Sequence, residues 1–254
     1  MTIGVGFVCE DGVVLCSDNQ ITYPTNHKYY ECKIYPHSIP GGRIAFTFAG
    51  NPNVMKMFDG KFKAAIQMAP TPHTASQIQD AVETVLGLMD IVDSDPDGLH
   101  MLCAIALQTP EVRLLKTERK AVTEVPKFDY VGVGDSSLLR YLAPLMAQPD
   151  SYTCDQAIGL GVCLVLQAKR YIDGCGGDTD VAILRGNQKD NLRFRSGHSM
   201  EQVFLRLEQL LNRVVTDLFD IRKTTDEFGE SVEHLAKALK GYRPSIMSRT
   251  FPPF

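Results

Sequence analysis

The sequence predicts an α+β fold, a four-layer α-β-β-α sandwich of two antiparallel sheets with a helical C-terminal extension. Strand-like and helical segments come in groups rather than alternating singly, and the first fifty residues carry only strand patterns. Grouped strands favour antiparallel sheets, whereas strands alternating with helices are typical of parallel ones. The length of 254 residues and the 44% hydrophobic content allow a large core.

The chain opens with a predicted hairpin. Residues 2–9 and 13–17 are apolar and strand-like, and Asp11-Gly12 between them is a hairpin turn signal. A polar connection follows over 19–30. Later strands are predicted at 33–35, 43–49, 101–107, 112–116, 129–133 and 179–184. Apolar side chains at helical spacing predict helices at 51–68, 74–92, 136–147, 153–171, 199–220 and 227–240.

These elements predict a main domain over 1–185 and a helical extension over 186–254. The extension carries an apolar stripe, which we expect to contact the same domain or a neighbouring subunit. The stripe consists of Phe204, Leu207, Leu211, Val214, Val215 and Leu218.

Composition and charge exclude several classes of protein. The net charge of −4 argues against a nucleic-acid-binding surface, which needs clustered Lys and Arg. No apolar run of 18 residues and no signal-peptide pattern occur, so we expect a soluble, cytoplasmic protein without a membrane partner. The seven cysteines show no CxxC spacing and mostly lie in apolar runs, as reduced thiols do. Six scattered histidines predict no metal site, and no cofactor motif is present.

Thr2 is the first candidate for chemistry. If Met1 is removed, the chain begins with a threonine whose own α-amino group lies beside its hydroxyl. An α-amine has a pKa of about 7.7 to 8.0, so part of it is neutral near physiological pH and can act as a general base. Nucleophile and base can then come from one residue.

Two charged residues strengthen this hypothesis. Asp18 ends the second predicted strand, and Lys33 opens a strand shortly afterwards. A buried Lys near the Thr2 hydroxyl would lower the pKa of that hydroxyl, and Asp18 would keep the Lys charged.

At these residues the sequence resembles a known family. The segment TIGVGFVCEDGVVLCSDNQIT, then KIY, then IAFTFAG, is similar to the opening of proteasome β subunits and bacterial proteasome-like peptidases. Two later segments, YVGVG at 130–134 and YIDGCGGDTDVAIL at 171–184, also resemble the family. The chain is therefore similar to N-terminal-nucleophile (Ntn) hydrolases of the proteasome β type, and its C-terminal extension resembles the bacterial ancestral type.

The resemblance implies roles for individual residues. Thr2 would be the nucleophile, Lys33 its electrostatic activator, Asp18 the partner of Lys33, and Asp173 a further acidic residue of the site. Thr22 and Gly50 would bind the substrate backbone, with the Gly50 N–H facing the oxyanion. Ile21, Glu31 and Phe48 would line the pocket for the residue before the cut. An apolar wall suits hydrophobic side chains, whereas an inward Glu31 suits basic ones.

Two positions depart from the family pattern. Val133 stands where the family usually has a serine that supports the Thr amine, and Gly176 stands where many members have a second serine. For the first, Asp135 or Ser136 could replace the hydroxyl from the same loop. For the second, backbone groups or water could.

Three functions follow as expectations. The first is a threonine peptidase acting on peptides or polypeptides in a ring-like or helical homo-oligomer, with an ATP-dependent unfoldase as a candidate partner. The second is a β-type scaffold that assembles but has little or no turnover, for which Val133 is the argument. The third is an Ntn hydrolase of small non-peptide amides, since one scaffold can host several chemistries.

Overall fold

A computed structural model describes residues 2–22, 27–69, 74–89, 98–108, 111–132, 151–185 and 192–247. It shows a mixed α+β fold with antiparallel sheets, as the sequence predicted. The predicted helix at 136–147 and Val133, Asp135 and Ser136 lie outside the described residues. The chain forms two compact units, residues 1–196 and 197–254.

The first sheet contains the N-terminus and has the strand order β10-β1-β2-β11-β12. All its neighbouring strands are antiparallel, and the β1-β2 hairpin pairs Cys9 with Gly12 at its closed end. The strands are β1 Ile3–Cys9, β2 Gly12–Asp18, β10 Phe128–Gly132, β11 Thr179–Leu184 and β12 Leu192–Ser196.

The second sheet is an antiparallel meander in chain order, β5-β6-β7-β8-β9. Its central strands are almost wholly buried, as their continuous apolar sequence requires. The strands are β5 Ile34–Ile39, β6 Gly42–Ala49, β7 His100–Leu107, β8 Val112–Glu118 and β9 Ala121–Glu124.

A short two-stranded ribbon, β3 Gln20–Thr22 with β4 Lys28–Tyr30, lies between β2 and β5 in the chain. The sequence prediction was wrong here, because it made 19–30 a polar connection. The ribbon's strands are only three residues long, and such strands give no usable alternation of polar and apolar side chains.

Two helices, α1 Pro52–Met68 and α2 Ala75–Gly87, pack on the second sheet. The predicted apolar stripes form the contact, and aromatic rings dominate it. Phe46 of β6 lies edge-on to both Phe58 and Phe62 of α1, with ring centroids 5.3 and 4.9 Å apart. Asn51 caps the start of α1, and a capping box of Thr74 and Gln77 starts α2.

A third helix, α3 Cys154–Tyr171, packs on β1, β2 and β11 of the first sheet. Thr153 and Gln156 form its capping box. The contact is close at Gly161, where a Cβ atom would lie 2.5 Å from the Cys16 sulfur. This glycine lets the helix backbone approach the sheet.

The two sheets contact each other through their remaining faces. Small residues allow the approach: a Cβ atom on Gly4 would lie 2.9 Å from the Thr47 methyl group, and one on Gly6 would lie 2.9 Å from Leu114. A buried apolar cluster that includes Leu15, Ala45 and Leu102 fills the rest of the space.

The C-terminal unit is a helical hairpin of α4 His198–Phe219 and α5 Thr225–Met247. A polar network joins the helices. Asp217 of α4 accepts a hydrogen bond from Ser231 of α5 and forms an ion pair with Lys223 of the turn. These two partners lower the pKa of Asp217, the Lys223 bond most strongly.

Candidate functional site

The start of β1 places Thr2 at one end of the first sheet. Thr2 is only 8% exposed. Gly132 at the end of β10 lies against it, because a Cβ atom there would be 2.0 Å from the Thr2 carbonyl oxygen and 2.9 Å from Ala49. Gly132 therefore lies between the start of β1 and the end of β6, and its φ of +90° also favours glycine.

Lys33 links Thr2 to Asp18. The Lys33 ammonium donates to the Thr2 hydroxyl oxygen at 2.6 Å and to Asp18 Oδ1 at 2.8 Å. Asp18 and Lys33 are both fully buried. Lys33 is 31 positions from Thr2 and 15 positions from Asp18 in the sequence, yet it bonds both. Its ammonium thus contacts the hydroxyl that the sequence predicted as nucleophile.

The electrostatics follow from this burial. Burial lowers the pKa of Lys33 below its ordinary value, and the neighbouring Asp18 carboxylate counteracts the shift. Asp180 also acts in the direction that keeps Lys33 charged. A buried cation is stable only with such partners, so Lys33 needs Asp18 to stay charged beside Thr2.

Asp18 is held by backbone donors as well. The Ile3 N–H donates to Oδ1 at 3.0 Å, and the Gly176 N–H donates to Oδ2 at 3.1 Å. Both carboxylate oxygens therefore have partners, and the group is fixed in rotation. Gly176 belongs to the segment after α3 that the sequence resemblance marked.

The predicted substrate-binding residues lie nearby in the fold. Gly50 follows directly on Ala49, is exposed, and has a φ of +116° that favours glycine. Ile21 is buried, and the hydroxyl of the half-buried Thr22 accepts a hydrogen bond from the Gln20 amide at 3.1 Å. Gly50 directly follows β6, and Ile21 and Thr22 belong to strand β3 of the ribbon.

Phe48 and Glu31 have other neighbours. Phe48 belongs to the cluster formed with α1 and α2, and its ring lies edge-on to Tyr35 at 5.7 Å. Its neighbours in sequence, Thr47 and Ala49, contact Gly4 and Gly132 on the other side of the sheet. Glu31 forms an ion pair with Lys56 of α1, 3.0 Å between Oε1 and Nζ.

Asp173 is exposed in the turn after α3, and none of the hydrogen bonds among the described residues joins it to Thr2, Asp18 or Lys33. The structure thus brings together three of the four predicted catalytic residues. Cys175, two residues on, is buried, and burial with the nearby Asp18 raises the pKa of its thiol to about 12. It is therefore protonated at neutral pH and unsuited to act as a nucleophile.

Sequence reasoning missed three contributors: the Ile3 and Gly176 N–H groups and the Gln20 side chain. Backbone donors carry no residue-type signal. The glycines in DGCGGD were the available sign that a backbone approaches closely there.

Across the described part of the chain, no three His, Cys, Asp or Glu side chains are grouped so that they could hold a metal ion. None of the described helices is long and apolar enough to cross a membrane.

Comparison with solved structures decides the fold. An Anbu (Gly-1) mutant from Hyphomicrobium sp. strain MC1 matches with a TM-score of 0.69 and 14% identity, over 84% of this chain and 97% of that one. Anbu, an ancestral beta-subunit, from Yersinia bercovieri matches with a TM-score of 0.68 and 14% identity, over 84% and 96%. This chain has the Anbu fold.

A structure of the helical assembly of the Anbu complex from Pseudomonas aeruginosa also matches, with a TM-score of 0.61 and 11% identity over 83% and 96% of the two chains. No family model and no curated protein matches the sequence. The Anbu fold agrees with the proteasome β-type resemblance seen in the sequence. At these identities the likeness extends to the fold alone.

Proposed function

We propose that this protein is a threonine-type amide hydrolase that uses Thr2 as its N-terminal nucleophile after removal of Met1. One observation carries the proposal: the buried Lys33 ammonium bonds both the Thr2 hydroxyl and the Asp18 carboxylate. The fold does not require a buried ion pair beside a hydroxyl, because two apolar side chains would pack there with a smaller desolvation penalty.

The geometry supports a two-step reaction. The Thr2 hydroxyl attacks an amide carbonyl, its proton passes to the Thr2 amine, and Lys33 stabilises the alkoxide character of the oxygen. The amine then gives that proton to the leaving amine. Water hydrolyses the resulting ester and frees Thr2. The Gly50 N–H is the proposed oxyanion donor, and Asp173 remains a proposed accessory residue.

We further propose peptides as substrates and the cytoplasm as the place of action. The core domain would be the predicted four-layer α-β-β-α sandwich of the Ntn hydrolases, of the ancestral β-subunit type. Contacts of α1 and α2 on one sheet and of α3 on the other support the layers. Because Lys56 pairs with Glu31, we infer a preference for apolar side chains before the cut.

Hydrolysis assays test this function. Purified protein is incubated with a library of fluorogenic peptides and, separately, with small amides such as glutamine and penicillin, with Thr2→Ala as control. Peptide turnover that the variant lacks supports the proposal. Turnover of small amides alone would show that these, and not peptides, are the substrates. Turnover retained by Thr2→Ala would rule out Thr2 as the nucleophile.

A second candidate function is assembly as a scaffold with little or no turnover. One observation favours assembly itself: the C-terminal hairpin exposes apolar side chains, with Phe219 77% and Ile221 98% exposed. A structural neighbour is described as a helical assembly. We therefore propose a homo-oligomer, ring-like or helical, in which the extension contacts a neighbouring subunit. An ATP-dependent unfoldase stays a proposed partner.

A further inference from the structure

Two segments far apart in sequence are clamped together beside Asp18. The Gln20 N–H donates to the Gly176 carbonyl at 3.2 Å, and the Asn19 N–H donates to the Asp178 carbonyl at 3.1 Å. The Asn19 side-chain oxygen accepts from the Asp178 N–H at 2.9 Å. The loop that follows α3 is therefore fixed along residues 19–20, and the Gly176 N–H within it points at Asp18.

The Gln20 carboxamide fills the space above Gly176. A Cβ atom on Gly176 would lie 2.4 Å from Gln20 Oε1, so a side chain at this position would displace the Gln20 carboxamide. The amide nitrogen of the same side chain donates to the Thr22 hydroxyl at 3.1 Å. Gln20 itself is 4% exposed.

A buried amide with this arrangement connects two functional parts. Through Gly176 it acts on Asp18, and through Thr22 it acts on the ribbon that is proposed to bind the substrate backbone. We propose that Gln20 is a positioning residue: its carboxamide holds the Gly176 N–H on Asp18 and so keeps Asp18 oriented toward Lys33. This inference rests on the proposed function of Thr2 only for its effect on rate.

The proposal predicts a specific pattern among variants. Gly176→Ala should displace the Gln20 carboxamide from its contact with the loop, because the new methyl group would collide with it. Gln20→Ala should keep the backbone bonds of residues 19–20 but remove the carboxamide that packs on Gly176, so that the Gly176 N–H is held less firmly on Asp18. The double variant Gln20→Ala/Gly176→Ala should recover, because the added methyl group enters the space that the Gln20 carboxamide vacates. A loosened Asp18 attracts Lys33 less, so burial lowers the pKa of Lys33 further in each single variant.

Two measurements on the full-length protein test this pattern: titration of Lys33 by NMR of ¹³C-labelled lysine, and the rate at which a β-lactone labels Thr2. Gly159→Ala and Gln67→Ala are matched controls, since nothing lies within 4 Å of a Cβ on Gly159 and Gln67 is exposed. We expect each single variant to lower the Lys33 pKa and to slow labelling at least about tenfold. We expect the double variant to regain the wild-type Lys33 pKa and to be labelled faster than either single variant, and the controls to match the wild type in both measurements.

A wild-type Lys33 pKa in both single variants would overturn the proposal, as would a double variant impaired as much as the singles combined. Gln20→Ala adds no bulk, so it keeps the test decisive if Gly176→Ala does not fold. If wild-type protein is never labelled, the proposed hydrolase function fails, and the Lys33 titration alone then decides the role of Gln20.

Discussion

At the residue scale, the Lys33–Asp18 pair determines both the chemistry and the stability of the region around Thr2. The two charges are buried and 2.8 Å apart, and both oxygens of Asp18 are bonded. Removal of one partner from such a pair leaves the other charge uncompensated in a medium that solvates it poorly.

Lys33→Met should therefore destabilise the protein by about 3 to 5 kcal/mol, measured by urea unfolding, and should also abolish labelling of Thr2. Lys61→Met is the control, because Lys61 is an exposed lysine of α1 and its loss should change stability by less than about 0.5 kcal/mol. Equal stability of the two variants would show that Lys33 is not a buried charge.

The pH dependence of Lys33 has opposite signs for rate and for stability. Its folded pKa is lowered below the ordinary 10.5, so the folded protein binds fewer protons than the unfolded chain between these two values. The Lys33 contribution to stability should rise with pH in that window, whereas labelling of Thr2 should fall as pH passes the folded pKa. Stability and labelling measured between about pH 7 and 11 check this, and Lys33→Met should lack the rise.

How far single residues were predictable depended on their chemistry. Thr2, Asp18 and Lys33 have a hydroxyl, a carboxylate and an ammonium at the ends of predicted strands, so the sequence could identify them as candidates. Gln20 and the Gly176 N–H could not be nominated, because their roles come from contacts between segments that lie far apart in the chain.

At the element scale, the strands and helices with long apolar patterns were predictable, including α1, α3 and the central strands. The ribbon β3-β4 and strands β9 and β12 were missed, since they are only three to five residues long. Such short strands owe their conformation to their partners rather than to their own pattern.

The α3 contact offers an element-scale test with a matched pair of glycines. Gly161→Ala should destabilise the protein by about 1 to 3 kcal/mol, because its methyl group would lie 2.5 Å from the Cys16 sulfur. Gly159→Ala, in the same helix with open space around it, should be neutral or stabilising by about 0.5 to 1 kcal/mol. Urea midpoints of the two variants compare them, and equal loss in both would contradict the close packing.

At the scale of the whole molecule, the exposed apolar face of the C-terminal unit predicts self-association. Leu211, Val215 and Leu218 of the predicted stripe are about half exposed within this unit. Leu218→Glu should shift an oligomer toward smaller species in sedimentation velocity, because a charge would be buried in the interface. Asn212→Glu, at an exposed polar position of the same helix, should leave the distribution unchanged. An unchanged distribution in both would remove this face from the assembly.

The α+β class could be read from grouped strands and paired helices, whereas the division at residue 196 could not. Strand β12 follows the last predicted strand and pairs with β11, which places it in the first unit. β12 is only five residues long, too short for its pattern to predict a strand.

Intact mass before and after incubation with a threonine-directed epoxyketone or β-lactone shows whether Thr2 is an N-terminal nucleophile. Thr2→Ala is the control. We expect a chain without Met1 that gains one adduct, and no adduct on the variant. A chain that keeps Met1, or a chain without Met1 that gains no adduct, would contradict this role of Thr2 and favour the scaffold.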